Sequence, residues 1–319
     1  MPENKFPVLK TATHFTMTTL VDNYTDVLLD DGKFVKRCPR VRKDGKRMSP
    51  LLAEHGLSFL FEIEGDFEKH LIMMDFGLSN IAVPNNISAL EMGIDNVETF
   101  IISHGHHDHI GSVKEVLNAI PEPKEVIVHP DAFIEERMHI FPDGTHVPIP
   151  SLKRKQFEPL GCPIVEIITP HILANGHMAT ITNIPRVTDF EKGMPTAYFK
   201  VGNEIYKDDI HDDQGIVVNV KGKGLVIVTG CGHSGIINTV LYAQEITGVK
   251  EIFAVIGGFH LSGSFFDPII ATTIEEMKKF SPAVLVPTHC TGWKAMIAFE
   301  REFPDAFILN SVGAKIVLE

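Results

Sequence analysis

Hydrophobic residues along the chain fall into short runs, each followed by glycine, proline or polar residues that favour a turn. Apolar runs of roughly four to eight residues bounded in this way predict buried β-strands. The runs predict strands within 7–29 and at 57–63, 70–75, 99–102, 125–129, 164–168, 179–181, 197–200, 215–220, 225–229, 252–256 and 283–286.

Apolar residues at helical spacing occur between several of these strands. After Ser112, positions i, i+3, i+4 and i+7 are apolar, which predicts a helix over 113–120 with Ser112 as its N-cap. Similar patterns predict helices at 87–92 and 236–241, and another that begins at Pro268. Strand, helix and strand in this order indicate a βαβ unit, so we predict an α/β protein.

Two segments depart from this pattern. Residues 31–50 are turn-rich and basic, which predicts an exposed loop or a small flap. Residues 130–200 contain nine prolines and only short apolar runs, so we expect loops there that wall a site. Neither segment has the composition of a linker, and we predict a single domain over 1–319.

Composition limits the partners. With 44% hydrophobic residues among 319, the chain can bury a large core. Its net charge of −12 argues against nucleic acid or an anionic membrane as the main partner. An acidic protein can still bind an anionic substrate, because a bound metal cation dominates the local field. We expect a small-molecule substrate and leave the oligomeric state open.

The sequence also carries expectations about location. No apolar run reaches the roughly 18 residues that a membrane span needs. The first residues lack the basic-then-apolar order of a secretory signal. The four cysteines are widely spaced and form no C-x-x-C pair, which favours free thiols in a reducing cytoplasm.

The strongest chemical signal is an H-x-H-x-D-H motif directly after the predicted strand at 99–102. It contains His104, His106, Asp108 and His109. Neutral imidazoles and a carboxylate are the ligands that zinc and neighbouring transition metals prefer. On a turn after a strand, the first two histidines can reach one metal, and the last two residues can reach a second point nearby. A chance cluster would need ligand spacing, strand placement and the following helix all to be coincidental.

Three later histidines repeat this arrangement. His233, His260 and His289 each follow a buried apolar run and lie in glycine- or proline-bounded turns. A single histidine at a strand end is usually an ordinary polar residue. Three of them in a chain that already has the motif favour metal binding, most strongly for His233 and His289.

These motifs resemble those of the metallo-β-lactamase superfamily. The resemblance rests on H-x-H-x-D-H, on T-G-C-x-H at 229–233 and on T-H-C-T-G at 288–292. With G-G-F-H-L at 257–261 and further matches at 54–58 and 212–214, it narrows to a subgroup of β-lactamase-like metal-dependent hydrolases. Some members of that subgroup are dihydropterin-ribofuranosylaminobenzene phosphate synthases. The resemblance covers nearly the whole chain and implies a four-layer αββα sandwich.

The resemblance also implies a ligand set. It puts His104, His106 and His233 on a first metal, and Asp108, His109 and His289 on a second. Asp75 matches an acidic residue that supports the site through hydrogen bonds. We expect two zinc ions per chain, with iron or manganese as alternatives.

The chain departs from the superfamily pattern at one place. Members usually have an aspartate between the two metals, often in a Gly-Asp pair at a strand end. The matching place here is read as Gly257–His260, so His260 either binds one metal or faces the substrate. Cys231 and Cys290 are soft donors close to the motifs, but small buried cysteines are commonly packing residues.

The ligands suggest a mechanism. Metals held mainly by neutral histidines can ionise a bound water near neutral pH, and the hydroxide attacks a carbonyl or a phosphorus. Asp108 would handle its proton, and His260 would donate to the leaving group. Arg186 is either a ligand for a substrate phosphate or carboxylate, or an ordinary salt-bridge residue.

The leading functional hypothesis is a metal-dependent hydrolase acting on an ester, lactone, amide or phosphoester. A pterin-type phosphate synthase of the same subgroup is one alternative. An iron-dependent redox enzyme and a non-catalytic sensor on the same fold are two others, since the ligand types alone do not select a reaction.

Overall fold

The computed structural model describes residues 8–42 and 44–319. Within these residues the chain forms 19 β-strands and five α-helices. The strands are β1 (Thr11–Ala12), β2 (His14–Val21), β3 (Val35–Lys36), β4 (Ser58–Glu64), β5 (Lys69–Met74), β6 (Thr99–Ile101), β7 (Glu125–Val128), β8 (Arg137–Ile140), β9 (His146–Pro148), β10 (Ile164–Glu166), β11 (Ile172–Leu173), β12 (Met178–Ile181), β13 (Ala197–Val201), β14 (Glu204–Lys207), β15 (Gly215–Val220), β16 (Gly224–Thr229), β17 (Ile252–Gly258), β18 (Val284–Thr288) and β19 (Lys315–Leu318). The helices are α1 (Ala82–Ala89), α2 (Val113–Ala119), α3 (Ile236–Thr247), α4 (Ile270–Phe280) and α5 (Trp293–Glu302).

The strands form two large sheets and one small sheet. The first large sheet has the order β10-β7-β6-β5-β4-β2-β19-β3, with parallel pairing from β10 to β5 and antiparallel pairing beyond. The second has the order β11-β12-β15-β16-β17-β18, with β1 beside β15, and β16, β17 and β18 are parallel. An antiparallel sheet β14-β13-β8-β9 forms from the middle of the chain.

Side-chain alternation along the strands explains the layers. On β16, Val226 points into the core between the two large sheets, and its neighbour Ile227 points toward α3, α4 and α5. On β4, Phe61 points into the same central core, and Leu60 points toward α1 and α2. Strands buried on both faces are apolar at successive positions, as Leu60 and Phe61 and as Val226 and Ile227 are. The predicted αββα sandwich is therefore confirmed.

Local predictions were less accurate at helix starts. The helix predicted at 87–92 instead spans Ala82–Ala89 and takes Pro84 into its first turn, where the missing N–H of proline costs no hydrogen bond. Ser112 precedes α2 but does not cap it, because its hydroxyl donates to the Ser79 carbonyl at 2.6 Å. Pro268 lies in a 3₁₀ turn, and α4 begins two residues later.

The segments 31–50 and 130–200, which lack the regular hydrophobic pattern, lie in different parts of the fold. Residues 31–42 and 44–50 are mostly exposed, although β3 pairs with β19 at the edge of the first sheet. Arg37 also ties this segment to the body of the protein through a 2.9 Å hydrogen bond from Nη1 to the Leu309 carbonyl. The 130–200 segment supplies β8 to β13, and its residues 190–195 line a cavity described below.

In the described part of the chain, none of the helices combines the length and the apolar character that crossing a bilayer requires. All four cysteines lie in that part and none of them forms a disulfide.

Candidate metal centre

The predicted ligands collect where the parallel strands of both sheets end. The H-x-H-x-D-H motif follows β6, and Asp75 follows the neighbouring β5 in the first sheet. His233, His260 and His289 follow β16, β17 and β18 in the second sheet. Because the carboxyl ends of these strands lie at one edge of the sandwich, residues far apart in sequence meet there.

The first group consists of His104, His106 and His233, all buried. Nε2 of His104 lies 3.0 Å from Nδ1 of His106 and 3.2 Å from Nε2 of His233. Burial lowers the pKa of His104 and of His233 well below its ordinary value, and burial together with Arg137 lowers that of His106 to about 3. Three neutral imidazoles thus point ring nitrogens at one point, which is the form that binds a metal cation.

The second group consists of Asp108, His109, Cys231 and His289, whose donor atoms lie within 4.8 Å of one another. Oδ2 of Asp108 is 3.3 Å from Nε2 of His289 and 3.7 Å from Nε2 of His109. Burial opposes ionisation of Asp108, but His109 and His289 outweigh it and hold the carboxyl pKa well below its ordinary value. The carboxylate therefore carries a negative charge beside two imidazoles.

Asp75 supports the second group through hydrogen bonds to His109 and Ser103. Its Oδ2 is 2.6 Å from Nδ1 of His109 and accepts a 2.7 Å hydrogen bond from the Ser103 hydroxyl. The Ser103 backbone N–H donates to Oδ1. Burial lowers the pKa of His109, but the carboxylates of Asp75 and Asp108 outweigh it and raise it to about 9. A proton held on Nδ1 leaves Nε2 aimed at the second group, as outer-shell carboxylates do in metal sites.

Sequence reasoning did not identify the carboxylate that holds the first loop. Asp212 accepts the Gly105 backbone N–H at 2.8 Å and two hydrogen bonds from Arg137, at 2.9 and 2.6 Å. Nε of Arg137 is also 2.9 Å from Oδ2 of Asp208. Burial opposes ionisation of Asp212, but Arg137 lowers the pKa of its carboxyl to about 2. In the sequence, Asp212 was marked only by the D-D-Q motif. Arg137 lies in no motif that would have identified it.

Buried carboxylates also hold the other two loops. Oδ2 of Asp213 accepts the Ser234 N–H at 2.8 Å, next to His233. Asp22 accepts the His289 N–H at 3.1 Å and the hydroxyl of Thr288. Asp22 lies in the opening segment, with no sequence signal that connects it to a site 267 residues away. Each ligand loop is thus fixed through its backbone.

The residues fit metal cations. In the first group, burial keeps the imidazoles neutral, so each has a single N–H and at least one lone pair near its neighbours. In the second group, Nε2 of His289 is buried and makes no well-formed hydrogen bond. Imidazole nitrogen, carboxylate oxygen and thiol sulfur are the donors that zinc accepts. The structure brings the six predicted ligands into two adjacent groups, with the His104 and His109 rings 4.2 Å apart.

His260 lies at the mouth of the first group. It is half-buried, its ring is 4.2 Å from that of His233, and its backbone has a positive φ of 46°. It lines a cavity of about 210 Å³. Four phenylalanines are among the residues that line this cavity: Phe190, Phe259, Phe265 and Phe266. His260 can therefore face both a substrate and the centre.

Arg186 is anchored to the backbone. Its Nη2 donates to the Asp209 carbonyl at 2.6 Å and lies 3.4 Å from the His233 carbonyl. The guanidinium braces the His233 loop and packs against Gly193, a cavity residue. Lys192 is the cationic side chain that lines the cavity itself.

The place between the two groups differs from the sequence reading. The stretch Gly257–His260 contributes only His260, and no side chain fits at Gly258, where a Cβ would lie 2.6 Å from Sγ of Cys290. Cys231, which follows Gly230, instead belongs both to the second group and to a group with His233 and His260. A cysteine interpreted as packing in the sequence thus lies among the side chains that could hold a metal.

Comparisons with known proteins agree with this architecture. The family model of the metallo-beta-lactamase superfamily matches residues 55–245. The 7,8-dihydropterin-6-methyl-4-(beta-D-ribofuranosyl)-aminobenzene-5'-phosphate synthase of Methanocaldococcus jannaschii is 31% identical over 265 residues, which is 81% of this chain and 88% of that protein. An uncharacterized protein of the same organism is 30% identical over 278 residues, 86% of this chain and 97% of its own. The crystal structure of a metal-dependent hydrolase of the beta-lactamase superfamily, 23% identical, superposes with a TM-score of 0.72 over 96% of this chain and 98% of that one. The chain belongs to the metallo-beta-lactamase superfamily.

Proposed function

We propose that this chain is a metal-dependent hydrolase with a two-cation centre, loaded with zinc, that acts on a small molecule with an ester, lactone, amide or phosphoester bond. The observation that carries the proposal is the adjacency of the two donor groups at one edge of the sandwich. His104, His106 and His233 would hold one cation, and Asp108, His109 and His289 the other. When bound, the cations supply an activated water and positive charge for a developing oxyanion.

Asp108 is the residue we propose as the proton acceptor. Its carboxylate is ionised and lies at the edge of the second group, 3.3 Å from Nε2 of His289. Nε2 of His55 is 3.8 Å from the same oxygen, and His55 has a side chain that is 63% exposed and stacks on His289. A proton taken by Asp108 therefore has a short path to solvent through His55.

His260 is the residue we propose as the donor to the leaving group. It lines the cavity, and its Nδ1 has no hydrogen-bond partner among the residues that the structure describes. His260 is half-buried and His233 is buried in the same cavity, so His260 is the more accessible of the two to a substrate there. Arg186 would act on the substrate only indirectly, by bracing the His233 loop, while Lys192 is available to an anionic group.

Net charge, cavity size and the free cysteines support proposals about the substrate and the location of the protein. The net charge of −12 and the small cavity support a small-molecule substrate rather than nucleic acid or a membrane surface. Four unpaired cysteines support a reducing cytoplasm as the location.

Kinetics on a substrate panel test the hydrolase. The panel comprises aryl esters, lactones and bis(p-nitrophenyl) phosphate, assayed with zinc-loaded and chelator-treated protein. We expect turnover that disappears on chelation, and a loss of roughly 10²- to 10⁴-fold in kcat for Asp108→Asn and His260→Gln. His146→Ala, at an exposed position on β9, is the control and should retain full activity. A loaded protein that turns over no member of the panel contradicts the hydrolase.

A pterin-type phosphate synthase is the second candidate. It is supported by the 31% identity to a synthase of that kind and by the aromatic cavity next to His260, which suits a flat ring. Incubation with a reduced 6-substituted pterin and ribofuranosylaminobenzene phosphate, followed by mass spectrometry, tests it. A product that joins both compounds favours the synthase, and hydrolysis of the panel without such a product favours the hydrolase.

The remaining two hypotheses have simpler tests. An iron-dependent redox enzyme requires iron in the purified protein and oxygen consumption with a reductant. A non-catalytic sensor requires metal binding without turnover in either assay.

A further inference from the structure

Cys231 lies between the two donor groups. Its side-chain sulfur lies within 4.8 Å of the donor atoms of Asp108, His109 and His289. The same sulfur lies within 4.8 Å of donor nitrogens of His233 and His260. Among the candidate metal-binding groups in residues 8–42 and 44–319, Cys231 is the member that the second group shares with the group of His233 and His260, and His233 belongs to that group and to the first. A cation held at His233 and a cation held at His109 would therefore both be close to this sulfur.

The surroundings of Cys231 are those of a ligand rather than of a packing residue. The residue is 2% exposed, and its sulfur is 3.2 Å from Nε2 of His109, the nitrogen that faces the second group. A cysteine that only fills space contacts apolar side chains, whereas this one contacts the imidazole of His109 and has the Asp108 carboxylate within 4.8 Å. Cys290 differs, because its thiol donates to the Cys231 carbonyl oxygen at 3.2 Å and is not a member of either group.

Two backbone positions beside Cys231, Gly230 and Gly258, cannot carry a donor side chain. Gly230 has no room for a side chain, because a Cβ there would run into the Ser103 hydroxyl. Gly258 has none either, since a Cβ would lie 2.5 Å from the Gly230 carbonyl oxygen. These two close approaches hold the start of the Cys231 loop against the H-x-H-x-D-H motif.

The charge balance of the two donor groups also favours Cys231 as a ligand. The six predicted ligands are five histidines and one carboxylate, Asp108. A histidine bound to a metal is uncharged, so two divalent cations would face a single negative charge. Superfamily members usually have an aspartate between the metals, and within residues 8–42 and 44–319 no second aspartate joins Asp108 in the two groups. A thiolate supplies the missing negative charge, because metal binding breaks the S–H bond, releases the proton to solvent and leaves the sulfur lone pair to the cation.

We propose that the thiolate of Cys231 is a ligand of the second cation, placed where it can also reach the first, and that it takes the place of the aspartate found in other members. The inference rests on the proposed two-cation centre but not on the reaction. A thiolate ligand also limits which metals the centre would bind, because it favours zinc, cobalt and iron over manganese or magnesium.

Cobalt substitution tests the proposal by spectroscopy rather than by activity. The cobalt-loaded protein should show a near-ultraviolet thiolate-to-cobalt charge-transfer band. The band should persist in Cys290→Ala, the matched buried control, and disappear in Cys231→Ala. Cys231→Asp should bind two equivalents of cobalt, as the unaltered chain does, without the band. A band lost in Cys290→Ala and retained in Cys231→Ala overturns the assignment.

X-ray absorption at the zinc edge tests the unaltered chain and needs no variant to fold. We expect a sulfur neighbour at about 2.3 Å from zinc. A protein that binds two zinc ions with only nitrogen and oxygen neighbours overturns the inference and leaves the proposed function standing. A folded protein that binds no metal overturns both.

Discussion

Oδ2 of Asp75 lies 2.6 Å from Nδ1 of His109, and neither side chain is exposed to solvent. This contact aims the other nitrogen of His109 at the second donor group. Asp75→Asn removes the charge but keeps the size, and asparagine tolerates the positive φ of 64° at this position. We expect the affinity for the second zinc to fall about 10- to 100-fold.

Competition with a chromophoric chelator measures this affinity. Asp95→Asn, at an exposed position, is the control and should bind zinc as the unaltered protein does. Equal zinc affinity in Asp75→Asn would show that the carboxylate is not a support for the metal centre.

Arg137 also supports the metal centre, through Asp212, and we expect its replacement to lower the free energy of unfolding. Its guanidinium is 1% exposed and contacts the carboxylates of Asp208 and Asp212. Arg137→Met leaves both carboxylates buried without a cation, which costs about 3 to 5 kcal/mol in the free energy of unfolding. Urea denaturation measures this loss, with the exposed Arg301→Met as the control. A loss below about 1 kcal/mol, the value typical of a surface ion pair, contradicts the prediction.

Gly105 lies between the first two histidines, and its lack of a side chain has a steric reason. A Cβ at this position would collide with the Ala132 carbonyl group. Gly105→Ala therefore forces the loop that carries His104 and His106 to shift, and we expect destabilisation by about 1 to 3 kcal/mol together with weaker zinc binding. Gly93→Ala is the matched control, because a Cβ there meets nothing within 4 Å. Similar stability and zinc affinity in both variants would contradict this steric account.

Glu191 links the cavity wall to α3 and predicts a pH dependence of stability. Its carboxylate accepts the Ile237 and Asn238 N–H groups at 2.9 and 2.8 Å, which caps the first turn of the helix. Burial raises the pKa of this carboxyl from 4.5 to about 7. Between these values unfolding releases a proton, so the stabilisation is complete below about pH 4.5 and is lost as the pH rises to 7.

Glu191→Gln should remove this dependence, because glutamine does not titrate. At about 1.4 kcal/mol per pKa unit, the stability of the variant relative to the unaltered protein should rise by up to about 3 kcal/mol between pH 5 and pH 8. Urea denaturation at the two pH values measures the change, and Glu122→Gln, at an exposed position, should show none. A stability difference that is the same at both pH values contradicts the role of burial.

The strands that carry the site were predictable because their signals are local. Each apolar run before His233, His260 and His289 became a parallel strand of one sheet, and the motif followed β6 as expected. Once strands end at one edge, their histidines must converge. Helix starts were less predictable, because Ser112 has the residue type of a cap but its hydroxyl is bonded to another loop.

The supports of the site could not be predicted, because they depend on contacts between distant segments. Arg137 and Asp212 are 75 positions apart, and neither lies in a pattern that points to the other. Cys231 presents the same difficulty, since burial alone does not distinguish a packing thiol from a metal ligand. Its contact with His109 decides the question only when the fold is known.

Metal content tests the two-cation centre most directly. Elemental analysis of protein purified without added metal should give about two zinc per chain, and about one in His106→Ala and in His289→Ala, because each variant disrupts a different group. The exposed His146→Ala should retain both. A folded protein without metal, or a metal content unchanged in both ligand variants, would contradict the account.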